Sequence, residues 1–280
     1  EKLDVTKTDV STNKTPGVGG TVNFVVTVEV PTNVTDLTSF SLTDAPTNLE
    51  VNEGSVEVAN VPTDCYDVDY TGDGFTLTFN HEEMGDYADS ILTITYTATV
   101  KESAASAGKT KNDVTLNYND GVRAMTDTAT TEEQKYYKID ITKRKDSTTG
   151  AVAAGVEFKL YKDADMTQEV KVTGETGAYV YDPDGTGDAT LTTDANGKLV
   201  VSGLPAGTYY LKETKAPEGY NLLSDKITIT LGEGTANQTH TQTIVNKAAS
   251  EDIIIVSCEQ TSFELVKLLA DNGVPSAKKG

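Results

Sequence analysis

In "TVNFVVTVEVP", Val22, Phe24, Val26, Val28 and Val30 alternate with polar residues, so an extended backbone there has one apolar face and one wet face. The same two-residue period recurs in "SFSLTD", "SVEVANV", "GFTLTFN", "SILTITYTATV" and "NDVTLNYN", with Gly-, Pro-, Asn- and Asp-rich turns between. A second group follows: "KIDITKRKD", "GVEFKLYKD", "KLVVSGLPAGTYYLKET", "DKITITL" and "THTQTIVNK". Short half-buried strands at this spacing predict an all-β chain of two tandem immunoglobulin-like β-sandwiches. The polar stretch "RAMTDTATTEEQK" reads as the separation between them, which gives domains at 1–132 and 133–247. Residues 248–280 change character. "SFELVKLLADNG" sets Phe263, Val266 and Leu269 at helical spacing, with Ser262 as a possible N-cap and Gly273 as a stop, so this appendage is expected to be helical.

Three polar residues in each half fall on the apolar phase. Lys7 continues the face of Leu3 and Val5, Asp44 that of Phe40 and Leu42, and Asn112 that of Val114, Leu116 and Tyr118. In the second half Lys143 follows Ile139 and Ile141, Glu213 follows Tyr209 and Leu211, and Asn246 follows Ile244. Each half thus has a lysine on its first strand, an acid in between, and an asparagine on what reads as its last strand. A plain structural account exists: a lysine at a sheet edge keeps its amine in water, and an in-phase Asp or Asn caps a turn. If the three are buried together, they must be paired or neutral. Burial lowers the pKa of a lysine and raises that of a carboxyl group. A neutral amine is a nucleophile, and a protonated acid can polarise an amide, so the trio has what is needed to form a Lys–Asn isopeptide bond with loss of ammonia.

The charge balance narrows the partners. A formal net charge of −20 over 280 residues opposes nucleic acid and anionic membranes, which leaves a soluble, extracellular, acidic surface as the plainer reading. The two cysteines, Cys65 and Cys258, are too few and too far apart for a disulfide framework or a cysteine-rich metal site. The longest apolar run, Ile253 to Val256, is too short to span a bilayer, so no membrane insertion is expected; an exported protein would be represented here by its mature form or a piece of it. "DPDGTGDATLTTD" offers Asp182, Asp184 and Asp188 as weak metal candidates, but without the spacing of an EF-hand the expectation is a solvated turn. His81 and His240 read as surface residues. No cofactor is implied.

"KIDITKRKDSTTGAVAAGVEFKLYKD", "LTTDANGKLVVSGLPAGTYYLKETKAPEGYNL" and "TIVNK" resemble the successive signatures of a collagen-adhesin B-type domain, found in surface proteins and sortase-assembled pilins of Gram-positive bacteria. The resemblance covers nearly all of residues 136–247, and "GTYYLKETKAPEGY" is its most specific element. It implies that Lys143 and Asn246 are the bonded partners and that Glu213 promotes the bond. In the first half "DVTKT", "GGTVNFVVTVEVP", "SFSLTDAP" and "KNDVTLNYND" resemble, in order, the isopeptide-forming pilin domain of the collagen-adhesin A-like kind. That resemblance implies Lys7 and Asn112 as partners and Asp44 as catalyst. Neither the lysine-bearing pilin motif nor an LPxTG signal is visible in these residues. The implied protein is a cell-surface pilus backbone or stalk segment, with other pilin subunits and sortase as partners by analogy. It is not a turnover enzyme, because the reactive residues are consumed. The alternative is an adhesin module that binds a host matrix protein or glycan.

Overall fold

The computed structural model describes residues 2–183, 185, 187 and 190–249, together with the backbone of 252–256, 264–271 and 274–278. It divides into two compact units. One takes in Glu1–Tyr137, Val180–Asp184 and Ser202–Ala206; the other takes in Lys138–Tyr179, Gly185–Val201 and Gly207–Gly280.

The first unit is built from β1 (Val5–Asp9), β2 (Thr21–Glu29), β3 (Ser39–Thr47), β4 (Leu49–Val51), β5 (Glu57–Val58) and β6 (Tyr66–Thr71). It continues with β7 (Gly74–Phe79), β8 (Ile91–Val100), β9 (Lys109–Asn119), β10 (Ala124–Thr130) and β11 (Gln134–Lys135). One sheet runs β1-β2-β8-β4, with β5 paired to β8; the other runs β10-β9-β3-β7-β6, with β11 paired to β9. Alternation does what the sequence requires of it. Val22, Phe24, Val26 and Val28 on β2 and Leu92, Ile94, Tyr96 and Ala98 on β8 turn inward, to meet Phe40, Leu42, Val114 and Leu116 of the facing sheet in one core.

"RAMTDTATTEEQK", which reads as the separation between the halves, itself carries a strand. Its centre is β10, antiparallel to β9 with Thr128 opposite Thr115. An edge strand buries only one face shallowly, so Thr and Asp suffice and no apolar period appears. Asn112 therefore lies on β9, which is not the last strand of its half.

The strands that make up most of the second unit begin with β12 (Tyr137–Lys145), β13 (Glu157–Tyr161), β14 (Val172–Glu175), β15 (Ala178–Tyr181) and β16 (Leu191–Thr192). Then follow β17 (Lys198–Leu204), β18 (Gly207–Lys215), β19 (Ile227–Leu231) and β20 (Thr239–Asn246). Its sheets are β14-β15-β17-β12-β20 and β16-β13-β18-β19. Ile139, Ile141, Leu199 and Ile244 of the first and Phe158, Leu160, Leu211 and Ile229 of the second are all buried. β12 and β20, the first and last strands of these two sheets, run parallel side by side.

The helical expectation for the appendage is overturned. β21 (Asp252–Val256), β22 (Glu264–Asp271) and β23 (Val274–Lys278) form a three-stranded antiparallel sheet. Val266, Leu268 and Ala270 also recur at the two-residue period of a strand, and the β-branched run Ile253–Ile255 pairs with Leu265–Lys267, so strand pairing overrides the local helical period. Ser262, Phe263 and Gly273 lie outside the described residues.

Candidate functional site: two buried lysine, acid and asparagine sets

In the first unit Lys7 sits mid-strand on β1, opposite Val26 of β2. The pleat that buries Leu3 and Val5 buries Lys7 as well. Asp44 and Asn112 come from the other sheet, on neighbouring strands, with Asp44 opposite Val114 and Asn112 opposite Pro46. Gly74 of β7 lies against Asp44: a Cβ at position 74 would clash with the Asp44 carbonyl oxygen, so only glycine lets these backbones approach. The Lys7 ammonium and the Asp44 carboxylate are wholly enclosed and in contact through Nζ and Oδ2. Lys7 Nζ also donates to the Asp113 carbonyl oxygen at 3.3 Å. The rings of Phe24 and Tyr96 stand 5.3 and 5.4 Å from Nζ.

Burial is the largest influence on Lys7 and lowers its pKa to about 8, against the opposite pull of Asp44. Passing one proton from ammonium to carboxylate would remove both buried charges and leave a nucleophilic amine. Tyr96 of β8 completes the set, donating from Oη to Asp44 Oδ2 and accepting from Asn112 Nδ2 at 3.2 Å. Asp44 Oδ1 and Asn112 Oδ1 are buried without hydrogen-bond partners.

In the second unit the lysine and the asparagine share a sheet. On the parallel pair β12 and β20, Lys145 is opposite Asn246, and Lys143 lies two residues back on the same face. Glu213 reaches in from β18 of the facing sheet, where it stands opposite Phe158. All three are buried. Lys143 Nζ is 3.2 Å from Glu213 Oε1, off the angle of a hydrogen bond. Its pKa too is lowered, first by burial and against the field of Glu213.

Asn246 Nδ2 donates to Glu213 Oε2 and to the Asn221 carbonyl oxygen, each at 2.8 Å, and the Leu223 N–H donates to the same Oε2 at 2.9 Å. Two acceptors fix the amide with its nitrogen toward the acid. Glu213 therefore meets the leaving nitrogen, with the attacking amine on its other oxygen, while Asn246 Oδ1 has no partner. Gly197, at φ +69°, lets a tight turn press on β12: the Lys143 N–H donates to its carbonyl at 2.7 Å, and a Cβ there would stand 2.5 Å from the Lys143 carbonyl oxygen.

Each set thus holds an amine, an amide and an acid in a dry pocket, the groups an amine-for-ammonia exchange requires. Two contributors escaped the sequence reading. Tyr96 shares the inward phase of Leu92, Ile94 and Ala98, and a core hydroxyl needs a partner, which was the available signal. The backbone of Asn221 and Leu223 left none, since loop carbonyls and amides carry no side-chain mark.

The remaining candidates do not assemble into a site. Asp182 is buried, Asp184 and Asp188 lie outside the described residues, and among the described residues no group of three His, Cys, Asp or Glu could hold a metal. His81 and His240 are half-buried rather than on the surface; His81 Nδ1 is enclosed without a partner, and His240 Nε2 bonds Gln242 Oε1 at 3.1 Å. Cys65 is a buried free thiol.

Comparison with known proteins bears on the same residues. The family described as SpaA, a prealbumin-like fold domain, matches residues 137–248. The matched stretch takes in Lys143, Glu213, Asn246 and the 221–223 loop that clamps them. A collagen adhesin of Staphylococcus aureus is 33% identical over 117 residues, which is 42% of this chain and 9% of that protein. Solved structures extend the likeness of fold over most of the chain. The pilus backbone RrgB of Streptococcus pneumoniae matches 88% of this chain and 100% of its own at TM-score 0.65 and 16% identity. The group B streptococcus pilus 2b backbone protein matches 89% and 98% at TM-score 0.59 and 23% identity. BcpA, the major pilin subunit of Bacillus cereus, matches 89% and 71% at TM-score 0.57 and 22% identity.

Proposed function

We propose that this chain is a structural segment of a Gram-positive cell-surface pilus or stalk, and that each of its two units is stapled by an isopeptide bond it makes itself, Lys7 to Asn112 and Lys143 to Asn246. The observation that carries this reading is the repeat of one buried arrangement, amine, acid and amide, in two units of different topology. The pilus backbone folds among its structural neighbours support the role, with sibling subunits and a sortase as its partners.

In each unit the neutral lysine amine attacks the asparagine Cγ, the acid moves a proton from the amine toward the departing nitrogen, and ammonia leaves. The reactants are consumed, so the chain turns over once and is not an enzyme. Intact-mass spectrometry tests this: the expected mass is that of the sequence less two ammonia molecules, with both cross-linked peptides recovered after digestion. A mass equal to the sequence would reject both bonds. The stretch shared with a collagen adhesin supports a second reading, attachment to a host matrix protein or glycan, which binding to immobilised collagen would test.

A further inference from the structure

The acid of the first unit is one methylene shorter than that of the second, and a hydroxyl stands in the difference. Glu213 touches both reacting groups itself, Lys143 Nζ at 3.2 Å and Asn246 Nδ2 at 2.8 Å. Asp44 is hydrogen-bonded to Lys7 and to Tyr96, and it is Tyr96 that meets Asn112 Nδ2, at 3.2 Å. Lys7, Asp44, Tyr96 and Asn112 form one unbroken chain from the attacking nitrogen to the leaving nitrogen.

We propose that Tyr96 is a catalytic residue of the first unit, which hands a proton from Asp44 to the amide nitrogen of Asn112 as the Lys7–Asn112 bond forms. This rests on the reading of that unit as self-cross-linking. The resting amide nitrogen is planar and can only donate, as it does to Tyr96 Oη. When the Lys7 amine adds to Cγ, Nδ2 becomes tetrahedral and regains a lone pair. The Tyr96 hydroxyl then gives it a proton, the Cγ–Nδ2 bond breaks with its electron pair on nitrogen, and ammonia departs. Asp44 takes the surplus proton from the Lys7 nitrogen and passes one to Tyr96, which ends as it began. One C–N bond forms and one breaks, the net proton moves from Lys7 to ammonia, and nothing is oxidised or reduced. Burial first, and then the Asp44 charge, hold the Tyr96 pKa well above 10, so the hydroxyl enters the step with its proton in place. The ring also packs 5.0 Å from Phe75 and 5.3 Å from Phe24, which fixes the direction of Oη.

The test is a time course on the full chain made by cell-free synthesis, quenched in denaturant and read by intact mass and peptide mapping. Tyr96→Phe keeps the ring and removes only Oη. It is expected to slow the Lys7–Asn112 bond by about 100-fold or more, the usual worth of a positioned proton donor, while the Lys143–Asn246 bond forms at its native rate in the same molecule. A Tyr96→Phe chain that closes the first bond as fast as the native chain overturns the proposal. Should Tyr96→Phe fail to fold its first unit, a fluorinated tyrosine at position 96 decides: it preserves shape and alters acidity, and a first-bond rate unchanged by it overturns the proposal. A native chain with no Lys7–Asn112 bond would instead reject the functional reading of the first unit.

Discussion

Glu213→Gln removes the acid of the second unit with the least disturbance of its shape. The glutamine carbonyl can still accept from the Leu223 N–H and from Asn246 Nδ2, at 2.9 and 2.8 Å from Oε2 in the native site, but it cannot move a proton off Lys143. The variant is expected to retain the ammonia of the second unit, so that its mass is that of its own sequence less one ammonia rather than two. If the native chain carries the proposed bond, the variant's unfolded state is no longer closed between Lys143 and Asn246, a loop of about 100 residues, and the loss costs about 4.7 kcal/mol on the chain-entropy model. The glutamine N–H₂ also faces Lys143 Nζ, donor against donor, which adds about 1–3 kcal/mol for a buried mispairing. The sum is about 6–8 kcal/mol. For a unit of roughly 110 residues, at about 4 °C per kcal/mol, the melting temperature of the second unit should fall by about 25 °C. Calorimetry with intact mass on the same sample reads both quantities. A bond that still forms in Glu213→Gln would show that the acid is not required. A bond that is lost with a melting temperature lowered by only a few degrees would refute the argument that the cross-link acts by constraining the unfolded chain.

Two further outcomes are expected. Asn112→Ala leaves Lys7 buried beside Asp44 but unbonded; because the folded pKa of about 8 lies below the ordinary 10.5, the unfolded state holds the extra proton between those values, and stability must rise with pH across that window. Measured by denaturant titration against Asn112→Ala/Lys7→Met, the gain should approach about 3 kcal/mol at about 1.4 kcal/mol per pH unit, and a flat difference would show that Lys7 is not desolvated. Gly197→Ala places a Cβ 2.5 Å from the Lys143 carbonyl oxygen at φ +69°, so it should cost about 1–3 kcal/mol and delay closure of the Lys143–Asn246 bond, read by melting and by a mass time course.

The strands of both cores and the six inward polar residues were legible because alternation is a local property: the face on which Lys143 falls is decided by Ile139 and Ile141, whatever lies across the core. β10 was not legible, since an edge strand half in water has no apolar face to display. The β22 pairing was equally hidden, because Glu264–Asp271 taken alone fits either period and only Ile253–Ile255 alongside resolves it. The site divides the same way. Phase found the lysines, acids and asparagines, but the direction of the Asn246 amide depends on a carbonyl in a loop, and the role of Tyr96 on a hydroxyl that looks in sequence like one more aromatic core residue.

The two bonds, though alike in chemistry, would shield different parts of the chain. In the second unit the residues to be joined lie on β12 and β20, the first and last strands of its two sheets, so tension entering at Tyr137 would cross from Lys143 to Asn246 and leave at the end of β20. Residues 144–245 would bear none of it. In the first unit Asn112 stands near the start of β9, and β9, β10 and β11 still follow. Tension crossing from Lys7 would run out along β9 and return along β10 to Thr131, whose N–H donates to the Asn112 carbonyl and whose Oγ1 accepts from the Asn112 N–H, both at 3.0 Å. The ends of that hairpin therefore sit side by side, and pulling them apart loads its hydrogen bonds one after another instead of together. Its roughly 18 residues would release about 60 Å of chain at 3.3 Å per residue. β9 is also paired to β3 along its length, so β10 would peel before β9 could follow. The position of one asparagine, on an inner strand rather than the last, would thus make the first unit extensible under a load that the second transmits without yielding.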